Sequence, residues 1–202
     1  MINYIKAIIQ IIKNYRSYSI VIIFFELLYF LKYSNKFNEF KYLKSKYLSD
    51  SLPCSFYTLK YIEKNILNLR IKRICDLGSG YGKILYYFGK IYKKNIHGVE
   101  IEKEIYFESR ELVCKNIKIF NENILKFNLK QFKYDAFILN DPLKDKNDLM
   151  KLILNIKIVY DEVIIILINL DLKKQMIIEK ELNILENFKV STNKNIFFCK
   201  IK

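Results

Sequence analysis

Asp76-Leu-Gly-Ser-Gly-Tyr-Gly82 holds three of the five glycines in the 202-residue chain. The stretch ends an apolar run, Arg73-Ile-Cys-Asp-Leu77, whose composition predicts a β-strand, and it opens onto residues 83–93, whose periodicity predicts a helix. A glycine-rich turn at the carboxyl end of a strand is where an open α/β sheet binds nucleotide-like ligands. The spacing departs from the dinucleotide fingerprint G-x-G-x-x-G. The third glycine comes one residue early, and Lys83 stands where the fingerprint has its last glycine. Asp76 adds a second constraint, because a carboxylate beside a pyrophosphate is repelled whereas one facing an ammonium group is stabilised. The loop therefore suits a cationic ligand better than a diphosphate.

Working outward, further short apolar runs at Ile96–Glu100, Ile117–Phe120, Tyr134–Leu139 and Glu162–Ile168 read as strands. Helical stretches at 55–68, 83–93, 103–115 and 145–158 lie between and before them. Continuous apolar strands alternating with helices predict an α/β fold: a Rossmann-like, mostly parallel sheet covered by helices on both faces. A polar-amphipathic helix is expected over about 171–186, then strands near 187–192 and 195–201. The remaining chain is too short for another crossover helix, so these two strands should form an antiparallel C-terminal hairpin and bring the sheet to seven strands.

Residues 1–48 differ in character from 49–202. Ile2, Ile5, Ile9 and Ile12 fall at helical spacing, and Ile20–Leu31 is a dense apolar block. The block is shorter than the ~20 residues of a membrane span and carries Glu26 at its middle, where a charge is costly in hydrocarbon. Lys6, Lys13 and Arg16 precede it, and Lys32, Lys36, Lys41, Lys44 and Lys46 follow. Basic residues on both sides suit a helical segment lying on an anionic membrane surface. The other reading is a helical cap folded on the domain at 49–202. On the membrane reading, the segment is separable from ligand binding by that domain.

The formal charge of +14, from 35 basic and 21 acidic residues, raises the question of a nucleic-acid partner. Only Arg16, Arg70, Arg73 and Arg110 are arginines, whereas phosphate and base recognition draws on arginine's planar fork. A chain so rich in Lys, Ile and Asn has the composition of AT-rich coding, and nucleic acid is not favoured. The 51% hydrophobic content excludes disorder for the bulk of the chain. Cys54, Cys75, Cys114 and Cys199 are dispersed and His97 is the single histidine, so no metal cluster is expected. His97, inside a predicted strand, is expected to be a satisfied imidazole rather than a base. Reduced thiols and the lack of a recognisable secretory signal point to a cytoplasmic protein, peripheral on the inner face of a membrane if the leading segment binds one.

Glu100 closes the second strand, where its carboxylate can accept hydrogen bonds from ribose hydroxyls. A ligand that meets both Asp76 and Glu100 combines an amino group with a nucleoside, and S-adenosylmethionine combines them with a sulfonium. Here the chain resembles the class I S-adenosylmethionine-dependent methyltransferases over roughly residues 50–202. "ICDLGSGYGKI" (74–84) stands at the family's first motif, "HGVEIEKE" (97–104) at its second and "NENIL" (121–125) at its third. The resemblance implies that Gly78, Ser79, Gly80 and Gly82 line the methionine part, that Asp76 helps hold its amino group and that Glu100 holds the ribose. It implies further that Ile101 packs on the adenine, and that Asn123 and Ile124 border it. Asn123 stands where the family often has an acidic residue, and its side-chain carbonyl can accept the same hydrogen bond.

"YDAFILNDPL" (134–143) resembles the family's fourth motif, so Asn140, Asp141 and Pro142 are the expected catalytic residues. Members that methylate planar amino groups carry Pro-Pro and an aromatic after the first residue; Asp141 and Leu143 replace one proline and the aromatic here. Loss of the stacking ring argues against a nucleobase, and Asp141 suits a cationic amine such as lysine. "SDSLPCSFYTLKYIEKNI" (49–66) is similar to a cofactor lid in lysine methyltransferases of this fold, some of them membrane-associated, with Pro53, Phe56 and Tyr57 at its centre. An amphipathic core helix explains Phe56, Leu59 and Ile62 equally well. The expected activity is N-methylation of an amine such as a protein lysine. Its rivals are methylation of a small molecule or nucleic acid, a nicotinamide oxidoreductase and a non-catalytic cofactor-binding protein.

Overall fold

Ile74, Ala136, Ile138, Ile166, Ile168, Ile196 and Phe198 belong to one buried cluster, while Cys75, Leu77, Phe137, Leu139, Ile165, Leu167, Phe197 and Cys199 belong to another. Alternate residues of each strand thus enter opposite cores, the signature of a sheet buried on both faces. The computed structural model describes residues 19–33, 54–91, 93, 95–113, 115–191 and 194–201. The expected helix over Ile2–Ile12, most of the basic flanks of the apolar block, and Pro53 lie outside them.

The strands are β1 (Arg73–Leu77), β2 (Asn95–Val99), β3 (Lys118–Phe120), β4 (Ala136–Asn140), β5 (Ile164–Ile168), β6 (Leu182–Ser191) and β7 (Lys194–Ile201). They form one sheet in the order β3-β2-β1-β4-β5-β7-β6. All pairs from β3 to β5 are parallel, and β7 enters antiparallel between β5 and β6. The order reverses at β1, whose neighbours β2 and β4 both run parallel to it, so the loop leaving β1 faces the crevice at the switch point. The expected Rossmann-like sheet with its antiparallel hairpin is present.

The helices are α1 (Ser19–Tyr33), α2 (Phe56–Asn68), α3 (Lys83–Leu85, continuing as a π-helical turn Tyr86–Ile91), α4 (Lys103–Leu112), α5 (Lys146–Val159) and α6 (Leu172–Glu181). Ile22 of α1, Leu59, Ile62 and Ile66 of α2 and Leu85 and Tyr87 of α3 join the first core; Leu149, Leu152, Ile153 and Ile156 of α5 and Ile178 of α6 join the second. Ser55, Asp145 and Asp171 cap α2, α5 and α6, each side chain accepting a hydrogen bond from a backbone N–H of the first turn.

One expected boundary changes, and the contacts of the apolar block fit the cap reading. The helix expected to reach residue 186 ends at Glu181, and Leu182 begins β6. Ile177, Ile178, Leu182 and Leu185 sit at helical spacing, but Leu182 instead pairs with Ile201 and Ile184 with Cys199, so sheet pairing overrides the local pattern. The apolar block is also not separate from the domain. Ile22 is fully buried against it, Phe25 meets Tyr57 edge-on at 5.7 Å, and Glu26 binds both Lys83 and the backbone N–H of Phe56. Among the described residues no helix is long and apolar enough to cross a membrane.

Leu152, fully buried beneath the sheet, and Leu154, exposed on the same helix, give a direct test of this packing. Leu152→Ala is expected to lose about 2–5 kcal/mol of stability and Leu154→Ala within about 0.5 kcal/mol, measured by denaturant unfolding.

Candidate functional site

Gly78, Gly80 and Gly82 all adopt positive φ, at 87°, 53° and 82°. Glycine reaches this region without the steric cost that a Cβ imposes, so the alternation of glycines writes the loop's path directly. The N–H groups of Gly78 and Ser79 donate to the Val99 carbonyl at 2.9 and 3.0 Å, and Gly82 N–H donates to the Ser79 carbonyl at 3.0 Å. A Cβ on Gly78 would stand 2.4 Å from Pro142 Cβ, and one on Gly98 would meet Leu85 and Ser79. The loop is thereby clamped between β2 and the chain leaving β4.

Asp76, next to last in β1, is fully buried, and among the described residues neither of its carboxylate oxygens has a hydrogen-bond partner; the buried Ser79 hydroxyl nearby in sequence is equally unmatched among them. Buried polar atoms are nearly always paired, and a buried carboxylate without a partner is costly. Burial, and secondarily the Glu100 charge, push the Asp76 carboxyl well above its ordinary range. Glu100 Oε2 accepts from Gly80 N–H at 2.8 Å and Oε1 from Glu102 N–H at 2.9 Å. Burial raises its pKa too, and these backbone donors pull it partly back. Each Glu100 oxygen keeps a second lone pair for a ligand hydroxyl. The pair is two carboxylates awaiting compensation, which an ammonium and a ribose diol fit and a diphosphate does not.

Ile101 follows Glu100 with 37% of its surface exposed, an apolar side chain left open beside the crevice. Asn121, which sequence reasoning passed over, donates from Nδ2 to the carbonyls of Glu100 and Ile101 at 2.8 and 3.0 Å and fixes both. Asn123 Oδ1 accepts from Leu125 N–H at 2.9 Å in an Asx turn, which leaves the oxygen a second lone pair, and Ile124 is buried in the second core.

Asp141, expected among the catalytic residues, has a cationic partner within the chain. Lys174 of α6, itself buried, donates from Nζ to Asp141 Oδ1 at 2.5 Å and lies 3.7 Å from Asp171, so the carboxylate already has a cation. A substrate ammonium would compete with this internal partner. Asn140 Oδ1 accepts from Asn169 Nδ2 at 2.7 Å, Pro142 packs on Gly78, and Leu143 is buried in the second core rather than offered to a ligand. Asp141 and Asn169 both hold left-handed backbone, with φ of 46° and 62°, at the ends of the adjacent strands β4 and β5. Such residues tolerate that region best among non-glycines. Asn169 and Lys174 carried no local sequence signal, because their partners lie far along the chain.

Phe56, expected in a cofactor lid, is buried in the first core as the opening residue of α2, and Tyr57 packs on α1. His97 Nδ1 lies 2.9 Å from the Tyr134 hydroxyl among the rings of Phe120, Phe132 and Tyr134. Burial and Lys118 lower its pKa, in keeping with a satisfied imidazole. Among the described residues no group of three or more His, Cys, Asp or Glu is placed to hold a metal ion.

A raised folded-state pKa means that Asp76 contributes to stability below the ordinary carboxylate range and that this contribution declines as pH climbs toward the raised value. Asp76→Asn lacks the decline. Without ligand, its melting temperature is expected to exceed that of the wild type by a margin that widens from acidic to neutral pH, as read by differential scanning calorimetry.

No family model matches the chain. No curated protein matches it either. Solved structures do. Magnesium protoporphyrin IX methyltransferase from Synechocystis PCC 6803, crystallised with S-adenosylmethionine, aligns with a TM-score of 0.59 at 16% identity, over 72% of this chain and 79% of that one. An S-adenosylmethionine-dependent methyltransferase from Clostridium acetobutylicum ATCC 824 gives 0.56 at 14% identity, over 71% and 90%. An N-methyltransferase from Bradyrhizobium japonicum WM9 gives 0.54 at 11% identity, over 70% and 94%. The likeness, the strand order and the loop after β1 together establish that the chain has the fold of the S-adenosylmethionine-dependent methyltransferases.

Proposed function

We propose that the protein is an S-adenosylmethionine-dependent methyltransferase that methylates an amine. The observation that carries the cofactor assignment is the fully buried carboxylate of Asp76, unpartnered among the described residues, at the foot of a glycine loop, with Glu100 bonded to that loop's central N–H. An amino-acid ammonium directed toward Asp76 supplies the missing charge, and a ribose at Glu100 uses the remaining lone pairs. Ile101 offers an apolar surface to the adenine, with Asn121 holding the backbone beneath it. Bound there, S-adenosylmethionine supplies an electrophilic methyl group on a sulfonium.

The chain's own part is positioning and exclusion of water. Asn140 and Pro142 border the crevice next to the glycine loop, where they would orient an acceptor nitrogen toward the methyl group. The nitrogen's lone pair would form the new bond, the carbon–sulfur pair would stay on sulfur, and the nitrogen's proton would leave to water. An acceptor must arrive deprotonated to attack. The Lys174–Asp141 pair supports this by filling the carboxylate that would otherwise hold an amine in its charged form. A protein lysine and a small-molecule amine both meet the requirement, whereas nucleic acid gains no support from Leu143.

A second reading concerns location. Ile20, Val21, Phe24, Leu27 and Leu28 are exposed on α1 on the side away from buried Ile22, an apolar stripe flanked in sequence by lysines. We infer that this face lies on an anionic membrane surface.

Isothermal titration calorimetry with S-adenosylhomocysteine is expected to show one site in the wild type. Asp76→Ala, which removes the countercharge, and Gly80→Val, which strains a backbone at φ of 53°, are expected to abolish it. Unchanged affinity in both variants would contradict the cofactor assignment. Full-length protein is expected to co-sediment with phosphatidylserine-containing vesicles, and Phe24→Asp/Leu28→Asp to prevent it; a wild type indifferent to those vesicles would overturn the membrane reading.

A further inference from the structure

Glu26 joins three elements that are distant in sequence. Its Oε2 accepts from Lys83 Nζ at 2.9 Å, and its Oε1 accepts from Phe56 N–H at 2.6 Å, the first N–H of α2. Both members of the ion pair are withdrawn from solvent, with side-chain exposures of 13% for Glu26 and 5% for Lys83. Lys83 Nζ also sits 4.1 Å from the centroid of the Phe56 ring.

Lys83 is the residue immediately after Gly82 and the first of α3, and Gly82 caps α3 without any side-chain hydrogen bond. A buried cation at a helix start stands where the unpaired N–H groups already gather positive charge, so it needs a nearby anion. The glycine loop itself has little intrinsic preference for its path, since three of its five residues from Gly78 to Gly82 are glycines. Its order comes from ties at its ends and middle. Val99 holds the entry through Gly78 and Ser79, and Glu100 holds the centre through Gly80. The exit is tied through Lys83 to a helix that precedes the whole sheet.

We propose that Glu26 is a positioning residue for the ligand loop. By anchoring Lys83, α1 sets where α3 begins and keeps Gly78–Gly82 in the conformation that receives the ligand. The apolar helix at the front of the chain is on this account a working part of the binding site. Its effect on ligand affinity rests on the cofactor reading above; its effect on loop order does not.

Hydrogen–deuterium exchange on full-length, ligand-free protein separates the two. Glu26→Gln keeps an oxygen for Phe56 N–H and removes the charge. Peptides covering residues 78–86 are expected to exchange several-fold faster in this variant, with peptides of β4 and β5 unchanged. S-adenosylhomocysteine affinity is expected to fall about tenfold. Glu26→Gln/Lys83→Met is expected to bind within about twofold of Lys83→Met alone, because the charge that Glu26 balances is gone. Should Glu26→Gln fail to fold, the same comparison of the double and Lys83→Met variants decides. Exchange over 78–86 equal to wild type, or losses from the two substitutions that simply add, would overturn the proposal. A wild type that binds no S-adenosylhomocysteine contradicts the cofactor reading and leaves the exchange result to judge the positioning role.

Discussion

The carboxylate of Asp76 is buried near the end of the central strand with no hydrogen-bond partner among the described residues. Everything around the site is arranged by that placement. β1 pairs with β2 on one side and β4 on the other, so its carboxyl end opens at the point where the strand order reverses. Burial between two strands removes water from Asp76, and Glu100 at the end of β2 adds a second negative charge to the same dry crevice. A fold does not retain such an arrangement for stability, since a matched apolar residue would serve the core better. The carboxylates make sense as half of an interaction whose other half is a cationic nucleoside ligand.

The loops around this point are linked in a chain of contacts. Gly78 touches Pro142, which follows Asp141; Asp141 is held by Lys174 on α6, and Asn140 by Asn169 after β5. On the other side Gly80 meets Glu100, whose backbone is held by Asn121. Lys83 extends the series to Glu26 on α1. The glycine loop and the loop after β4 therefore meet at the Gly78–Pro142 contact.

Most of the fold was legible because it rests on local pattern. The runs at β4 and β5 are apolar at the positions that enter the two cores, and β1 is too except for the buried Asp76, the residue that stands out in its strand pattern. The glycine spacing with Asp76 and Glu100 points to the candidate site. What escaped depends on contacts that leave no local trace. Glu26 stands out in the sequence as a charge inside an apolar block, but its partner Lys83 lies 57 positions away. Lys174 reads as one more lysine on a polar helix until it is seen 2.5 Å from Asp141. The end of α6 was misplaced because Leu182 and Leu185 continue a helical spacing that only pairing with β7 interrupts. The Asx turn by which Asn123 accepts from Leu125 N–H fixes the side chain without a local pattern that announces it.

The account stands or falls on where the ligand's charged groups lie. A crystal structure of the protein soaked with S-adenosylhomocysteine answers this directly. The prediction is an amino group directed toward Asp76, both ribose hydroxyls on Glu100 and the adenine against Ile101, above the loop from Gly78 to Gly82. Ligand bound elsewhere on the chain, or bound in this crevice with Asp76 and Glu100 still uncompensated, would contradict it.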